Sequence, residues 1–590
     1  MRLVATAAAA ILVTFLGTSV DAIAPIEIKG NRLFEYGTGK PFHAKGLDYY
    51  PRPNSGELNV NNLDFFTDDH EHIWKPHVAE FIALGINAVR LYAVDSSKSH
   101  DKFMCALSEA GIYVLVDLAA SCEDCAITKD PYPACYPAPL KTRGQQIIAA
   151  FSKYNNVLAF SAGNEVNHYV DSMEISAPCQ KKFIKDMRAY ISSCATNMRY
   201  IPVGVVLADH QRSKNALYYA CRTDPTDELE NAEWYGLNAY LQCDRTASPW
   251  HVGPGYDKLL KDFTSYELAI PTILTEFGCL NVGFPTVDGF QAQRTWVDAA
   301  WLLSPTFADV FAGGFAFEFT TEKANAEKDS PFPFKTFGPQ NYGLGYLEPE
   351  TCDADKTPCV FQRMPNFDSL AAAYRDASTA GLPERSSYSP SHTKPPQCPA
   401  GVRPIGEVHW SADSETDVQC PDLTQTPLCP GDIINTGKAG PPKPSVTTED
   451  PVKDVPTETP TSTPLPTTNS STPLPTTTSS TPLPTTNSST PLPTTTSSTP
   501  LPTTTPAEPS PPSNVTDTVT PSTASPPSNG TGTVTPSTAS PPSNGTGTVT
   551  PSTASLPSPG STQGNPATVA APGVVGVVVM ATVAWLMVWV

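Results

Sequence analysis

Basic side chains are scarce in this chain of 590 residues. Lys and Arg total 38 against 58 Asp and Glu, a formal net charge of −20. That balance argues against nucleic acid or an anionic membrane surface as a partner. It suits an ectodomain acting on a neutral polymer. Zinc-type spacing is missing too. Cys122-Glu-Asp-Cys125 is a CxxC run, but no second CxxC or His pair stands where zinc needs it. No metal and no cofactor are therefore expected. Cysteine is absent from residues 1–22 and from residue 433 onward. Apolar side chains are too few in residues 433–562 to offset the entropy of ordering, which excludes a packed core there.

What is present divides the chain by composition. Met1-Arg-Leu-Val opens an apolar run to Leu16, and Val20-Asp-Ala22 fits a small-x-small cleavage site, so residues 1–22 read as a signal peptide. Residues 23–380 have globular patterning. Residues 381–432 form a Cys/Pro-rich extension with Cys398, Cys420 and Cys429. Residues 433–562 are mainly Pro, Thr, Ser, Gly and Asn, in a nonamer repeat from Ser462 to Thr505 and then a fifteen-residue repeat. This is the composition of a disordered, O-glycosylated stalk. Sequons at Asn469, Asn487, Asn514, Asn529 and Asn544 add N-glycan acceptors. Residues 563–590 end in an uncharged run from Val574 to Val590, after a polar spacer and the small triplet Gly560-Ser-Thr562. That order reads as a GPI-attachment signal, removed on anchoring. A tail-anchored membrane helix is the alternative. Fourteen cysteines in such a secreted chain are expected to form disulfides.

Within residues 23–380, strand and helix patterns alternate. Strands are predicted at 41–46, 87–92, 113–118, 157–162, 201–207, 234–240, 270–275 and 314–319. Helical patterns lie between most of them. Eight such units predict an α/β protein with a (β/α)8 TIM barrel. A doubly wound sheet is the alternative, but no Gly-rich phosphate turn follows the first strand.

Barrel enzymes build their sites at the C-terminal strand ends. Those ends carry Asp48/Tyr49, Arg90/Tyr92, Asp117, Asn164/Glu165, Asp209, Asn238/Tyr240, Glu276 and Glu318. Glu165, in Gly163-Asn-Glu165, falls on the fourth strand. Glu276, in Thr275-Glu-Phe-Gly278, falls on the seventh. Two carboxyls there suit retaining glycoside chemistry, with Glu165 as acid/base and Glu276 as nucleophile about 5–5.5 Å away. Arg90 either keeps Glu276 ionised or makes a structural salt bridge.

These residues carry a resemblance over about residues 25–370. Lys45-Gly-Leu-Asp-Tyr49, Asn87-Ala-Val-Arg-Leu-Tyr-Ala-Val-Asp95, Ala110-Gly-Ile-Tyr-Val-Leu-Val-Asp117, Gly163-Asn-Glu165, Ile201-Pro-Val-Gly204, Tyr218-Tyr-Ala-Cys221, Thr275-Glu-Phe-Gly-Cys279 and Asn341-Tyr-Gly-Leu344 are the residues concerned. The chain resembles the β-1,3-glucanosyltransferases of glycoside hydrolase family seventy-two. The resemblance implies cleavage of β-1,3-glucan through a glycosyl-enzyme and transfer to another β-1,3-glucan chain in cell-wall remodelling. It implies Tyr49, Tyr92, Asp117, Asn164, Asp209, Arg212, Tyr240 and Tyr342 around the sugar. It implies disulfides Cys105–Cys135, Cys221–Cys352 and Cys243–Cys279. It places a monomeric enzyme at the cell surface, GPI-anchored at the plasma membrane or wall.

Three positions depart from the family pattern: Tyr50 where Gln is usual, Tyr240-Leu-Gln-Cys243 for Tyr-Glu-Trp-Cys, and Phe317 for a Tyr. A secreted endo-β-glucanase and an inactive wall adhesin are the rival readings. Both glutamates are present, which disfavours the adhesin.

Overall fold

The computed structural model describes residues 23–169, 175–243, 248, 251–281, 283–378, 380–422 and 429. The expected signal peptide, stalk and anchor signal lie outside those residues.

Eight strands close a parallel barrel in sequence order. They are β1 (Ala44–Asp48), β2 (Ala88–Leu91), β3 (Tyr113–Asp117), β4 (Val157–Asn164), β5 (Val203–Ala208), β6 (Tyr235–Ala239), β7 (Thr272–Phe277) and β8 (Phe311–Ala316). Each predicted strand overlaps one of these. The first and last are displaced: residues 41–42 belong to a small antiparallel sheet with Ile26–Lys29 and Arg32–Glu35, and β8 starts three residues early. Strands such as β3 and β5 are buried along their whole length. Their near-continuous apolar character follows from being covered on both faces.

Closure needs β8 to pass close to β1. Gly313, at φ +90°, stands at that crossing, where a Cβ would lie 2.3 Å from the Ala44 carbonyl oxygen. Outside run α1 (His77–Leu84), α2 (Asp101–Glu109), α3 (Ala138–Phe151), α4 (Ser176–Ser193), α5 (Arg212–Ala220), α6 (Pro254–Tyr266), α7 (Val297–Leu302) and α8 (Pro365–Asp376). Helix α1 stops at Gly85, whose left-handed φ of 74° lets its N–H reach the Phe81 and Ile82 carbonyls. Helix α8 packs against α1 and α7 and completes the ring.

The lower barrel interior is filled by Leu115, Val206, Trp234, Ile273 and Phe315. It is a packed core rather than a pore. Polar side chains are thereby confined to the upper layer, where the chemistry must lie.

The extension at 381–432 is stitched to the barrel over its described part. Arg385 pairs with Glu27 at 2.9 Å, and Lys182 of α4 reaches Asp413 at 2.7 Å. Trp410 is buried, its indole N–H donating to the Ile405 carbonyl. Three disulfides fasten this strap: Cys221–Cys398, Cys194–Cys420 and Cys105–Cys429. They correct two pairings implied by the resemblance. Cys105 does not join Cys135, which bonds Cys179 instead. Cys221 does not join Cys352, which bonds Cys359 seven residues on. The strap brings its own cysteines against α2 and the C-terminal ends of α4 and α5, which takes Cys105 and Cys221 away from the partners implied by the resemblance. Cys243–Cys279 is present, as is Cys122–Cys125. All fourteen cysteines are thus bonded.

Candidate active site

Strand alternation sets which side chains point into the barrel. On β2, Arg90 points in, wholly buried, between outward Val89 and Leu91. Both glutamate strands break that alternation. Against β5, β4 slips register between Ser161 and Asn164. Against β6, β7 slips between Leu274 and Glu276. Each slip is one extra residue on the glutamate strand. Such bulges re-aim the following side chain. On β7 the consequence is visible: Thr275 donates to Asn238 Oδ1 at 2.8 Å while the next residue, Glu276, also faces the cluster. Glu165 lies one residue past β4 with a left-handed φ of 48°, and its N–H donates to the Val206 carbonyl. Positive φ in a non-glycine residue costs free energy and concentrates at functional sites.

The carboxylates are held very differently. Glu276 accepts from Arg90 Nη1 at 3.0 Å and from the Tyr92 hydroxyl at 3.2 Å, both on Oε1. It accepts from the Tyr240 hydroxyl on Oε2 at 2.5 Å. Glu165 accepts from one neutral donor, the Asn238 amide, at 2.9 Å. Arg90 Nη2 also donates to Asp117 and to Asn164 Oδ1, each at 3.0 Å. Asp48 lies 3.8 Å from Arg90 and accepts from the Tyr92 hydroxyl at 2.8 Å. Asn238 bridges Glu165 and Asn164. Arg90 therefore pairs with Glu276 and, through Asp117 and Asn164, also knits β2, β3, β4 and β7 together.

Burial pushes Glu276 up to about 7, against the pull of Arg90, with the charge of Glu165 adding to the rise. Burial also raises Glu165, opposed by the Asn238 hydrogen bond and Arg90. The charge of one carboxyl acts on the other, so the first proton they take up belongs to the pair. Among the described residues Glu276 has the Arg90 cation and the Tyr240 hydroxyl, with the single Tyr92 proton divided between it and Asp48, and Glu165 has an amide alone. The shared proton therefore belongs on Glu165. Once it sits there, the Glu165 contribution to the rise at Glu276 disappears.

A cleft opens over this layer, lined by Tyr50, Tyr92, Asn164, Glu276, Phe317, Glu318, Glu322, Asn325 and Gln340. Tyr240, Tyr342 and Phe317 form an aromatic wall, with ring centroids 5.2 to 6.0 Å apart. Arg294 lies over the Tyr342 ring at 4.6 Å.

Tyr92, Asp117, Asn164, Tyr240 and Tyr342 thus gather around the two glutamates. Tyr49 does not. It is wholly buried, its hydroxyl against His77 Nδ1 at 2.8 Å and its ring among Phe66, Phe81, Phe103 and Phe319. The inward residue of β1 is Asp48, so the next side chain turns outward and Tyr50 takes the cleft position. Asp209 and Arg212 also stand apart from the cluster. They pair with each other at 2.5 Å, and Arg212 pairs with Asp262 of α6 at 2.6 Å.

Glu318, Glu322, Asn325 and Gln340 were not assigned roles from sequence. Glu318 carries a signal, being a strand-end acid. The others lie on the excursion after β8, which has no periodicity to read. Burial raises Glu318 well above 4.5, and the nearby charges of Glu322, Asp48 and Glu276 push the same way. A folded-state value above the unfolded one means this carboxyl supports stability fully below about pH 4.5 and loses that support as pH rises through its folded value. Glu318→Gln cannot ionise. Its melting temperature relative to wild type is therefore expected to rise between pH 5 and pH 8, measured by paired thermal melts. A difference that stays constant with pH would contradict the assignment.

Comparisons with known proteins show the family to which the chain belongs. The family model described as Glucanosyltransferase, of glycoside hydrolase family 72, matches residues 16–327. The 1,3-beta-glucanosyltransferase PGA4 of Candida albicans is 31% identical over 318 residues, covering 53% of this chain and 64% of that protein. The 1,3-beta-glucanosyltransferase gas4 of Schizosaccharomyces pombe is 35% identical over 300 residues, covering 50% and 60%. A solved structure of Saccharomyces cerevisiae Gas2p in complex with laminaripentaose is 27% identical, with a TM-score of 0.49, and covers 64% of this chain and 74% of that one. The chain spans 60–64% of the length of the first curated relatives it matches.

Proposed function

The chain belongs to the glucanosyltransferase family of glycoside hydrolases, and on that premise we propose that it is a retaining β-1,3-glucanosyltransferase. The observation that carries the proposal is the unequal holding of the two carboxyls. Glu276 is wrapped by Arg90, Tyr92 and Tyr240, while among the described residues Glu165 accepts from Asn238 alone.

In the first step Glu165 gives its proton to the glycosidic oxygen as Glu276 attacks the anomeric carbon. The sugar–oxygen bond breaks, and a glycosyl ester forms on Glu276. The departing glucan end leaves, and Glu165 is now the ionised partner. In the second step Glu165 takes the proton of an acceptor hydroxyl, whose oxygen attacks the same carbon and displaces Glu276. With water as acceptor the product is a shorter chain. With a glucan hydroxyl it is a longer one. Arg90 and the two tyrosines stabilise the departing Glu276 carboxylate. Asn164, held by Arg90 and Asn238, presents its amide toward the cleft for a sugar hydroxyl. The aromatic wall suits the apolar faces of pyranose rings.

The proposal extends to place. Complete pairing of the cysteines supports an oxidising, extracytoplasmic compartment. Tethering at the surface by the stalk of residues 433–562, with residues 563–590 as the attachment signal, is supported by their composition.

Incubation with a reduced laminari-oligosaccharide acceptor and an unreduced donor tests the activity. Mass spectrometry is expected to show products longer than either input. Products that are only shorter would make the protein a hydrolase.

A further inference from the structure

Two segments outside the catalytic cluster meet beside the cleft. One is the hairpin after β7, Thr286–Val287 paired with Phe290–Gln291. The other is the excursion after β8, which carries the cleft residues Glu322, Asn325 and Gln340. The Phe337 N–H donates to Gln291 Oε1 at 2.6 Å, and the Gln291 N–H to the Lys335 carbonyl at 2.8 Å. Gln293 and Gly338 exchange two further hydrogen bonds. The two segments are thus pinned together as one rim.

At their junction Phe284 and Phe337 stack, with centroids 4.5 Å apart and planes 8° from parallel. Each ring covers one face of the other. Phe337 is 38% exposed and neighbouring Val287 41%. An exposed ring stacked flat on a half-buried one is unusual in a chain whose other rings are mostly buried. Among the described residues, the large apolar side chains counted as exposed are Val60, Ile82, Tyr240, Val287, Phe337 and Val360. Tyr240 is in the cleft, and Val287 and Phe337 are on this rim. Gln340, which lines the cleft, follows Phe337 by three residues, a reach of at most ~11 Å. The rim and the cleft therefore lie on the same face of the barrel, within that reach of each other.

Resting on the glucan reading above, we propose that the Phe284–Phe337 pair is a distal binding platform for β-1,3-glucan. It takes the part of the chain that runs out of the cleft past Gln340. A pyranose ring presents an apolar C–H face that lies flat on a phenyl ring, with its hydroxyls directed to water. A protein partner would need a wider apolar patch than these few side chains provide. A short oligosaccharide fills the cleft and stops before the rim, whereas a polymer reaches it. The platform thus distinguishes long glucan from short, at a place that touches neither glutamate.

The test compares Phe337→Ala with wild type on soluble long-chain laminarin and on a short laminari-oligosaccharide. Thermal melts confirm that the variant folds. KM for long laminarin is expected to rise about tenfold, the order for losing a large part of one phenyl contact, with kcat unchanged. Kinetics on the short oligosaccharide are expected to stay the same. Phe337→Trp, which keeps a flat ring, is expected to retain the wild-type KM for long laminarin. Equal changes on both substrates, or no change on either, would overturn the platform while leaving the glucan reading intact. A wild type inactive on both glucans would overturn the two together.

Discussion

Glu276→Gln is expected to lower turnover of β-1,3-glucan by about four orders of magnitude or more, the scale seen when a covalent nucleophile is removed. The amide cannot form a glycosyl ester, so the loss extends to every substrate. It is also isosteric, and Arg90 keeps Asp117 and Asn164 as partners, so folding should survive. Glu165→Gln differs in a way that separates the roles. It should cost about 10²–10⁴ on glucan, the range for general acid–base catalysis. Its first step should be largely restored on an aryl glycoside whose phenolate leaves without a proton. Steady-state rates on glucan and on an activated aryl glucoside distinguish the two variants. Restoration in Glu276→Gln rather than Glu165→Gln would exchange the assignments.

Arg90→Met is the second large effect. The guanidinium is wholly buried and bonds Glu276, Asp117 and Asn164, with Asp48 close by. Removing one partner of a buried ionic cluster costs about 3–5 kcal/mol, because the remaining charges are left uncompensated. A marked fall in melting temperature is expected. Catalysis should shift as well as fall. Arg90 is the chief group holding Glu276 down against burial, so without it Glu276 keeps its proton to higher pH. The nucleophile must be ionised, so the acid limb of the pH–rate profile moves upward. Arg90→Lys should recover part of the stability and little of the activity, since one ammonium cannot span three acceptors with the guanidinium's fork. An unshifted acid limb in a folded Arg90→Met protein would mean that Arg90 is structural alone.

The barrel was legible because its strands carry near-continuous apolar runs at regular spacing, each ending in a polar group. Glu165 and Glu276 stand out for the same reason: each is an acid at the end of such a run. The bulges that aim them were not legible, because one extra residue in a strand leaves no mark in apolar patterning. Tyr49 shows what a one-residue slip does. Placing the first strand at 41–46 rather than Ala44–Asp48 leaves the facing of residues 48–50 undecided, and the structure turns Asp48 and Tyr50 to the cleft side. The disulfides failed differently. Cys105 and Cys429 are 324 residues apart, and only the path of the strap brings them together. Asp209 and Arg212 sit near a strand end, yet each finds its charge partner on the helix side. Glu322, Asn325 and Gln340 come from the long connection to α8, where no periodicity says which side chains turn inward.

The most direct measurement is the identity of the residue that carries the sugar. The protein would be incubated with a 2-deoxy-2-fluoro-β-glucosyl donor bearing a good leaving group, which forms the ester quickly and releases it slowly. Peptide mass spectrometry would then locate the label. The account predicts a single fluoroglucosyl adduct on the peptide containing Glu276, absent in Glu276→Gln and released when a laminari-oligosaccharide acceptor is added. An adduct on Glu165, on Glu318 or on Glu322 would contradict it.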